Sequence, residues 1–232
     1  LLELLRFVPQ LPNQPFSSPI YIKHLNDSWI FYDGEMKIPR CTYERLDKQS
    51  LQGKAVRKST FSEDRELHPL HRSTLSDYQA SGFHRGHLIA AANATASQES
   101  MNATFVLSNV APFLPNFNQS FWKRLENLQR KLTETCKEVE MYSGTLFLSV
   151  RRADGTLWKN NQVVGPSEVY VPTHFYKVFH LHHENVIETR AYLMPHEAIS
   201  SEQSIDKFET TLDQVQRLAS SPLSPLKLSH TR

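Results

Sequence analysis

The segment HRGHLIAAAN at residues 84–93 and three polar residues further along the chain could together hydrolyse a phosphodiester bond. Within the segment, His87 could take a proton from a water molecule. Asn118 offers an amide oxygen for a divalent cation, and Glu126 and Arg130 place an acid and a base four residues apart. Phosphodiester hydrolysis needs a deprotonated water, a divalent cation on the phosphate and positive charge near the developing pentacovalent phosphorus. These residues can supply all three.

His87 and Asn118 each have a second interpretation. An imidazole titrates near ~6.5 and is a base when it is neutral, but an isolated histidine could equally stabilise the end of a strand. Mg²⁺ prefers oxygen ligands and is often held by few protein groups, so a single amide oxygen is a sufficient protein ligand. Asparagine is also a favoured helix N-cap, and Asn118 could fill both roles at once.

One long helix over residues 119–135 is predicted to position the downstream residues. At about 100° per residue, an apolar face is formed by Phe121, Leu125, Leu128 and Leu132. A neighbouring stripe is formed by Asn118, Trp122, Glu126 and Arg130. Further helical turns are predicted near 44–51, at 97–103 and after Thr211, where Thr211 and Gln214 are spaced as a capping box. Strands are predicted at 28–33, 104–110, 138–142, 145–150, 169–174, 176–183 and 186–194.

The residues around this segment resemble the DNA/RNA non-specific endonucleases, the ββα-metal nucleases. Their Asp-Arg-Gly-His signature corresponds to residues 84–87 of this chain. The likeness continues in order and at matching spacing through Arg57, Phe61, Asp64, residues 107–112, Asn118, Trp122, Glu126, Arg130 and residues 143–146. It covers roughly residues 36–220. The stretches VPTHFYKV and MPHEAI look most like the exonuclease-like mitochondrial branch of the family.

The resemblance implies an α+β fold of the ββα-metal nuclease type, with a mixed, mainly antiparallel sheet core and packed helices. It implies a Mg²⁺-dependent nuclease, with Mn²⁺ as an alternative cofactor, that hydrolyses DNA and RNA without sequence specificity. His87 would be the general base and Asn118 the direct metal ligand. Glu126 would bind the metal through a water or orient Arg130. The resemblance further implies a homodimer located in mitochondria.

The remaining site residues are predicted to contact the substrate. Arg57 and Arg85 are expected to assist catalysis by binding phosphate oxygens through the guanidinium fork, although Arg85 could instead hold the shape of its loop. Asn109 and Arg130 complete the expected substrate-binding set, and Asn109 is also expected to fix the loop of the motif. The alternative for Glu126 and Arg130 is an exposed i,i+4 ion pair that stabilises the helix by about 0.2–0.5 kcal/mol.

The chain departs from the family pattern at His84, where Asp is usual, and at Phe113, where Gln is usual. The first change lies beside the proposed base, and the second could alter substrate positioning. They motivate a rival interpretation as a catalytically weakened nucleic-acid-binding homologue. A structural metal-binding domain, or a metal pair formed by His84 and His87, is a weaker rival. Gly86 is expected where the backbone turns tightly.

Composition indicates one good-sized domain of 232 residues with a net charge of only +2, so any basic groove must be local. We expect an N-terminal extension and first strand at 1–35, the nuclease domain at 36–220 and a tail at 221–232. Cys41 and Cys136 are expected to be reduced thiols. A glycan on the Asn118 sequon would block the proposed metal site, which argues against secretory maturation. Because the chain begins with Leu1, any targeting segment or membrane anchor is expected to precede it. The cluster His180, His182 and His183 is expected on a solvated strand face.

Overall fold

A computed structural model describes residues 19–25, 27–57, 60–151, 153–159, 161–200, 202–220 and 223. The strands are β1 (Ile20–Leu25), β2 (Ser28–Asp33), β3 (Ile38–Leu46), β4 (His84–His87), β5 (Val110–Phe113), β6 (Glu138–Leu146), β7 (Val150–Arg151), β8 (Leu157–Trp158), β9 (Val163–Val164), β10 (Val169–Tyr170), β11 (His174–His182), β12 (Ile187–Pro195) and β13 (Glu209–Thr210). The α-helices are α1 (Gln98–Ala103), α2 (Pro115–Phe117), α3 (Lys123–Leu132) and α4 (Leu212–Ala219). A π-helix, Asn118–Trp122, joins α2 to α3, and short 3-10 helices occur at Pro69–His71, Leu75–Tyr78, Ala91–Asn93, Leu107–Asn109 and Ile205–Phe208.

A seven-stranded antiparallel sheet in the order β1-β2-β3-β6-β11-β12-β13 forms the centre of the molecule. Its three middle strands are buried on both faces, so alternate residues enter two separate cores. On one face, Val139 and Met141 of β6 pack with Leu125 of α3. On the other face, Tyr142 of β6 packs with Val215 of α4. The helical segment that carries the candidate site therefore lies on one side of the sheet and α4 on the other.

The α+β fold is confirmed, and several elements lie where the sequence predicts them. The strand predicted at 28–33 is β2. α1 begins after Ser97, whose hydroxyl accepts a hydrogen bond from the backbone of Ser100 at 3.0 Å. α4 begins after Thr211, whose hydroxyl accepts from the backbone of Gln214 at 3.2 Å. The helix predicted at 119–135 is present as the run from Pro115 to Leu132.

Two element predictions are wrong. The segment expected to be helical near 44–51 is instead the end of strand β3, up to Leu46, followed by a turn, because pairing with β6 overrides the helical preference of Glu44 and Arg45. The strand expected at 104–110 is largely a 3-10 turn, and the ladder starts only at Val110. The strands expected at 138–142 and 145–150 form the single strand β6 and the short β7.

The two ends of the chain bear on the predicted domain division. Most of the extension and the tail lies outside the described residues. The expected boundary at residue 35 falls between β2 and β3, which are paired strands of one sheet. Both cysteines are free thiols. Within the described residues, no helix is both long enough and apolar enough to cross a bilayer.

Candidate active site

An open cavity of about 500 Å³ is lined by strand β4, by the helical run that follows β5, and by the loop residues Arg57, Phe61, Tyr78, Phe83, Ala91 and Ala92. β4 pairs antiparallel with β5, and His87 stands opposite Val110 at the end of the pair. The indole Nε1 of Trp122 donates a hydrogen bond to the backbone oxygen of His87 at 2.9 Å, which ties the helix to the strand. Of the predicted stripe of Asn118, Trp122, Glu126 and Arg130, Trp122 does not face the cavity, because it is buried in the core.

Asn109 holds the loop that follows His87. Its amide oxygen accepts from the backbone of Ile89, and its amide nitrogen donates to the backbone oxygens of Ile89 and Thr104, all at 2.9 Å. The side chain is fully buried. The expected role in fixing the loop fits these contacts, whereas the expected substrate contact is wrong, because no surface of Asn109 remains for a substrate.

The His87 imidazole is enclosed by aromatic rings. The ring of Phe61 lies 5.1 Å from it, and the ring of Phe105 lies 4.8 Å away edge-on. Nε2 is buried and has no hydrogen-bond partner among the described residues. Burial, reinforced by the charge of Arg57, lowers the pKa of His87 to about 3. The imidazole is therefore neutral, which is the form a general base needs.

The two predicted phosphate-binding arginines rest on the same aromatic rings that enclose His87. The guanidinium of Arg85 lies 4.6 Å over the ring of Phe61, and that of Arg57 lies 5.6 Å over the ring of Phe105. Both side chains are exposed and both line the cavity. Stacking on an aromatic face restrains a guanidinium while its N–H groups remain available to a ligand.

Asn118 lies inside the helical run rather than at its beginning. Its backbone is helical, and the run starts three residues earlier at Pro115. The N-cap interpretation is therefore wrong. The amide Nδ2 of Asn118 lies 3.5 Å from Nδ1 of His84, which leaves the amide oxygen for another partner. Asn118 and Glu126 line the same cavity.

The oxygen donors of Asn118 and Glu126 are of the type that Mg²⁺ prefers. Glu126 is half-buried, and burial raises its pKa while Lys177, Arg130 and Arg57 oppose this effect. Within the described residues it forms no ion pair with Arg130, so the alternative i,i+4 pair is absent. Arg130 instead donates to the amide oxygens of Asn93 and Asn127. The donor set therefore fits a hard divalent cation, with a carboxylate not engaged by its helical neighbour.

The cavity is basic although the chain as a whole is nearly neutral. Its charged lining residues, apart from histidines, are Arg57, Arg85, Lys123 and Arg130 on the basic side and Glu126 on the acidic side. The excess of positive charge in a concave site favours an anionic ligand. Lys123 escapes sequence reasoning because it looks like any solvated helix lysine, and only the folded structure places it at the cavity.

The lack of a side chain at Gly86 leaves room for the ring of Phe113. The two residues lie in adjacent strands, and a Cβ on Gly86 would meet the ring of Phe113 at 1.8 Å. The tight turn expected at Gly86 is wrong, since the residue lies within β4. Phe113 is fully buried and stacks on Phe175 at 4.2 Å between ring centres. The expected effect of Phe113 on substrate positioning is therefore not supported by its location, which is the core.

His196 positions the start of the helical run. Its Nε2 accepts a hydrogen bond from the backbone of Leu114 at 2.8 Å, and its Nδ1 lies 2.8 Å from the backbone oxygen of Pro172. Burial lowers its pKa to about 4, in keeping with a neutral ring that donates at one nitrogen and accepts at the other. The only signal for this residue in the sequence is the MPHEAI stretch.

A second polar group lies on the opposite face of the sheet and is here called the far-face cluster: Glu138, Glu140 and His182. Its nearest possible metal-binding atoms all lie within 4.8 Å of one another. Glu138 forms an ion pair with Arg45, and Glu140 accepts a hydrogen bond from Tyr43 at 2.8 Å. Nε2 of His182 lies 3.1 Å from Glu140. The expected solvated strand face is wrong for this region, because His180 and Glu140 are fully buried.

Comparison with known proteins places the fold in a family. A sequence profile described as DNA/RNA non-specific endonuclease matches residues 15–225. The chain belongs to this family. A solved structure, "Crystal structure of the EndoG/EndoGI complex: Mechanism of EndoG inhibition", matches with a TM-score of 0.85 and 33% identity over 89% of this chain and 86% of that chain. The ββα-metal nuclease fold is thereby confirmed.

The relatives refine the position of the chain within the family. It is similar to mitochondrial endonuclease G of Bos taurus, with 41% identity over 81% of this chain and 64% of that protein. It is also similar to the human mitochondrial nuclease EXOG, with 33% identity over 82% of this chain and 53% of that protein. The identities thus favour endonuclease G over the exonuclease-like branch that the sequence motifs suggested. The chain spans less than two thirds of the length of either relative.

Proposed function

We propose that the chain is a metal-dependent nuclease that hydrolyses the phosphodiester bonds of DNA and RNA without sequence specificity. One observation carries the proposal: a buried neutral histidine, two oxygen donors for a hard cation and several basic groups line a single cavity. The family membership and the nuclease relatives support the same activity. Mg²⁺ is the proposed cofactor, with Mn²⁺ as an alternative.

In the proposed mechanism, the side chains divide the work between proton transfer and charge stabilisation. His87 takes a proton from the attacking water at its unprotonated ring nitrogen. An anionic phosphodiester beside the ring favours the protonated imidazole and so raises the low pKa toward the working range. Arg57 and Arg85 bind the non-bridging phosphate oxygens and stabilise the charge that develops on them. Arg130 supplies further positive charge from the helix.

Asn118 and Glu126 are the residues that would hold the metal ion, Asn118 directly and Glu126 directly or through a water. When bound, the ion supplies Lewis-acid stabilisation of the phosphate and of the leaving 3′ oxygen. The contact between His84 and the amide nitrogen of Asn118 keeps the amide oxygen available. His84 therefore takes part in the site, although the family usually has Asp there.

The test is a cleavage assay with supercoiled plasmid, single-stranded DNA and RNA, each with Mg²⁺, with Mn²⁺ and with EDTA. We expect nicking and degradation of all three substrates with metal and none with EDTA. A folded chain that binds nucleic acid but cleaves none of these substrates would instead support the weakened homologue. Phe113 no longer argues for that rival, because it lies in the core.

Location and oligomeric state are two further proposals for this chain. We propose a mitochondrial location, because the relatives are named mitochondrial nucleases. We also propose a homodimer. Sedimentation of the purified chain and localisation of the tagged full-length protein test these proposals separately.

A further inference from the structure

A path of hydrogen bonds leads from the cavity into the central sheet. Arg130 donates from Nη1 to the amide oxygen of Asn93 at 2.9 Å. Asn93 in turn donates from Nδ2 to Oε1 of Glu44 at 2.9 Å and to Oε1 of Gln129 at 3.1 Å. Arg130 is half-buried, whereas Asn93, Glu44 and Gln129 are buried. Asn93 is therefore the link between a cavity cation and the interior.

The orientation of the Asn93 amide is determined by its partners. Glu44 presents a carboxylate oxygen and Arg130 presents only donors, so the amide nitrogen of Asn93 must face Glu44, where it also contacts Oε1 of Gln129. The amide oxygen then faces Arg130 and can only accept. Because both amide atoms are engaged in a buried site, Asn93 has one orientation, and it offers Arg130 a fixed anchor rather than a mobile one.

The far end of the path is itself anchored by charge. Burial raises the pKa of Glu44 on β3 and lowers the pKa of Lys177. The attraction between the Glu44 carboxylate and the buried ammonium of Lys177 opposes both shifts. Lys177 donates to the hydroxyl of Ser143 at 2.7 Å and lies 4.3 Å over the ring of Trp122. The indole of Trp122 also donates a hydrogen bond to the backbone oxygen of His87. The buried residues that hold Arg130 are thus connected through Lys177 and Trp122 to the strand that carries His87.

Arg130 has a second anchor of a different kind. Its Nη2 donates to the amide oxygen of Asn127 at 2.6 Å, but Asn127 is exposed on the helix surface. Water can replace an exposed acceptor at little loss, whereas a buried acceptor has no such substitute. The two asparagines contact one guanidinium and differ mainly in burial, which makes them a matched pair.

We propose that Asn93 is a positioning residue that holds Arg130 in the orientation that binds the phosphate of the substrate. The inference rests on the proposed nuclease function for the identity of the ligand. It adds a residue that contacts neither substrate nor metal, and it assigns the buried network beneath the helix to Arg130. A purely structural role for Asn93, in which its loss perturbs the fold without acting through Arg130, is the alternative.

The experiment is a double-mutant cycle with Asn93→Ala and Arg130→Ala, measured with a labelled oligonucleotide duplex. Cleavage gives kcat and KM with Mg²⁺, and binding in EDTA gives a Kd. In the parent background, Asn93→Ala is expected to lower kcat/KM by about 10- to 100-fold, as loss of a hydrogen bond to a charged group does. In the Arg130→Ala background, the same substitution is expected to change kcat/KM and Kd less than about twofold, because the coupled partner is gone.

Three further variants keep the test decisive. Asn127→Ala is the matched control and is expected to change kcat/KM less than about threefold, because its bond is exposed. Glu44→Gln preserves an acceptor for Asn93 and is expected to keep most of the activity. If Asn93→Ala does not fold, Glu44→Gln/Asn93→Ala removes the anchor without leaving an unpaired buried carboxylate, and it enters the cycle instead.

The outcomes separate this inference from the proposed function. A parent that binds but does not cleave would refute the nuclease proposal, and the binding cycle in EDTA would still decide the role of Asn93. An equal loss from Asn93→Ala with and without Arg130, or no loss in either background, would refute the positioning role. So would an Arg130→Ala variant that binds and cleaves like the parent.

Discussion

The cavity and the far-face cluster contain similar side chains on opposite faces of one sheet, but their bonding differs. In the far-face cluster, the carboxylates meet Arg45 and Tyr43, and the histidine lies beside a carboxylate. In the cavity, His87 has a buried nitrogen with no partner among the described residues, and Glu126 is not paired with Arg130. Buried atoms without a hydrogen bond occur in both groups, since Oε1 of Glu138 and Nε2 of His182 also have none. The difference is that both carboxylates of the far-face cluster already have a protein partner, whereas the carboxylate of Glu126 lines an open cavity.

The comparison shows why proximity of metal-binding residue types is a poor guide by itself. Buried polar groups are normally satisfied within the protein, so one that is not requires an explanation. An unsatisfied, partly open group in a basic cavity is typical of a functional site. The cavity meets that description. The far-face cluster contains the required residue types, but a basic side chain and a hydroxyl already bind its carboxylates.

Replacement of His87 by Ala is expected to have the largest effect on the cavity. General bases contribute about 10²–10⁴-fold to rates, so plasmid cleavage by His87→Ala should fall by that factor while binding in EDTA is retained. Cleavage rates and a binding isotherm measure the two effects. Activity within a few-fold of the parent would assign the base to another residue.

Asn118→Ala tests whether the metal ion binds in the cavity rather than at the far-face cluster. Loss of a direct ligand should reduce activity by at least about 100-fold, because even outer-shell partners of metal ligands contribute up to that factor. Mn²⁺ affinity, measured by electron paramagnetic resonance, should fall in parallel. Asn118 is not a helix N-cap, so the melting temperature should change little. Asn116→Ala, an exposed control on the same helix, should behave like the parent.

The far-face cluster supplies the matching control for the metal. Glu138→Gln should leave Mn²⁺ affinity and cleavage unchanged, because its carboxylate is paired with Arg45 rather than offered to a cation. Loss of metal binding in Glu138→Gln, with retention in Asn118→Ala, would reverse the assignment of the two regions.

The low pKa of His87 should make stability depend on pH. In the folded chain the pKa is about 3, below the ordinary value of 6.5, so the unfolded chain binds a proton between these values that the folded chain does not. Above pH 6.5, His87 is neutral in both the folded and the unfolded chain, and its protonation does not affect stability. As the pH falls from 6.5 toward 3, the free energy of unfolding decreases, because the unfolded chain gains a proton that the folded chain does not bind. Urea unfolding should show the parent losing on the order of 3 kcal/mol more than His87→Gln between pH 7 and 4.5. Equal losses would mean that the ring is not desolvated.

Tyr43→Phe should affect the far-face cluster alone. It removes the hydroxyl that donates to Glu140 and should destabilise the chain by about 1–3 kcal/mol, as loss of a partner for a buried polar group does. Cleavage measured below the melting temperature should stay within about twofold of the parent. A large loss of activity without loss of stability would couple the two faces.

His84→Asp should have the smallest effect. A carboxylate at this position can accept from the amide nitrogen of Asn118 as the His84 ring does, so the amide oxygen stays available. We expect activity at neutral pH to stay within about fivefold of the parent or to rise, consistent with the net worth of one hydrogen bond. An inactive parent together with an active His84→Asp variant would identify a disabled nuclease.

Local sequence determined the elements whose signals lie within a few residues. The apolar period of the helix after Asn118, the helical stretch at 97–103 and the apolar run at 28–33 all predict structure from neighbours along the chain. The predictions at 44–51 and 104–110 were wrong for the same reason. Both segments take their conformation from partners far away in sequence, and their own propensities are weak against strand pairing and loop packing.

The sequence alone also brought together most of the candidate site, since motif and four-residue spacing place His87, Asn118, Glu126 and Arg130 in one region. Only the tertiary structure decided which side chains remain available. It buried Asn109 in the loop and Phe113 in the core, and it joined Arg130 to Asn93 instead of Glu126. These outcomes depend on residues such as Glu44 that lie on another strand. Burial and hydrogen-bond satisfaction are properties of packed neighbours, and no local pattern encodes them.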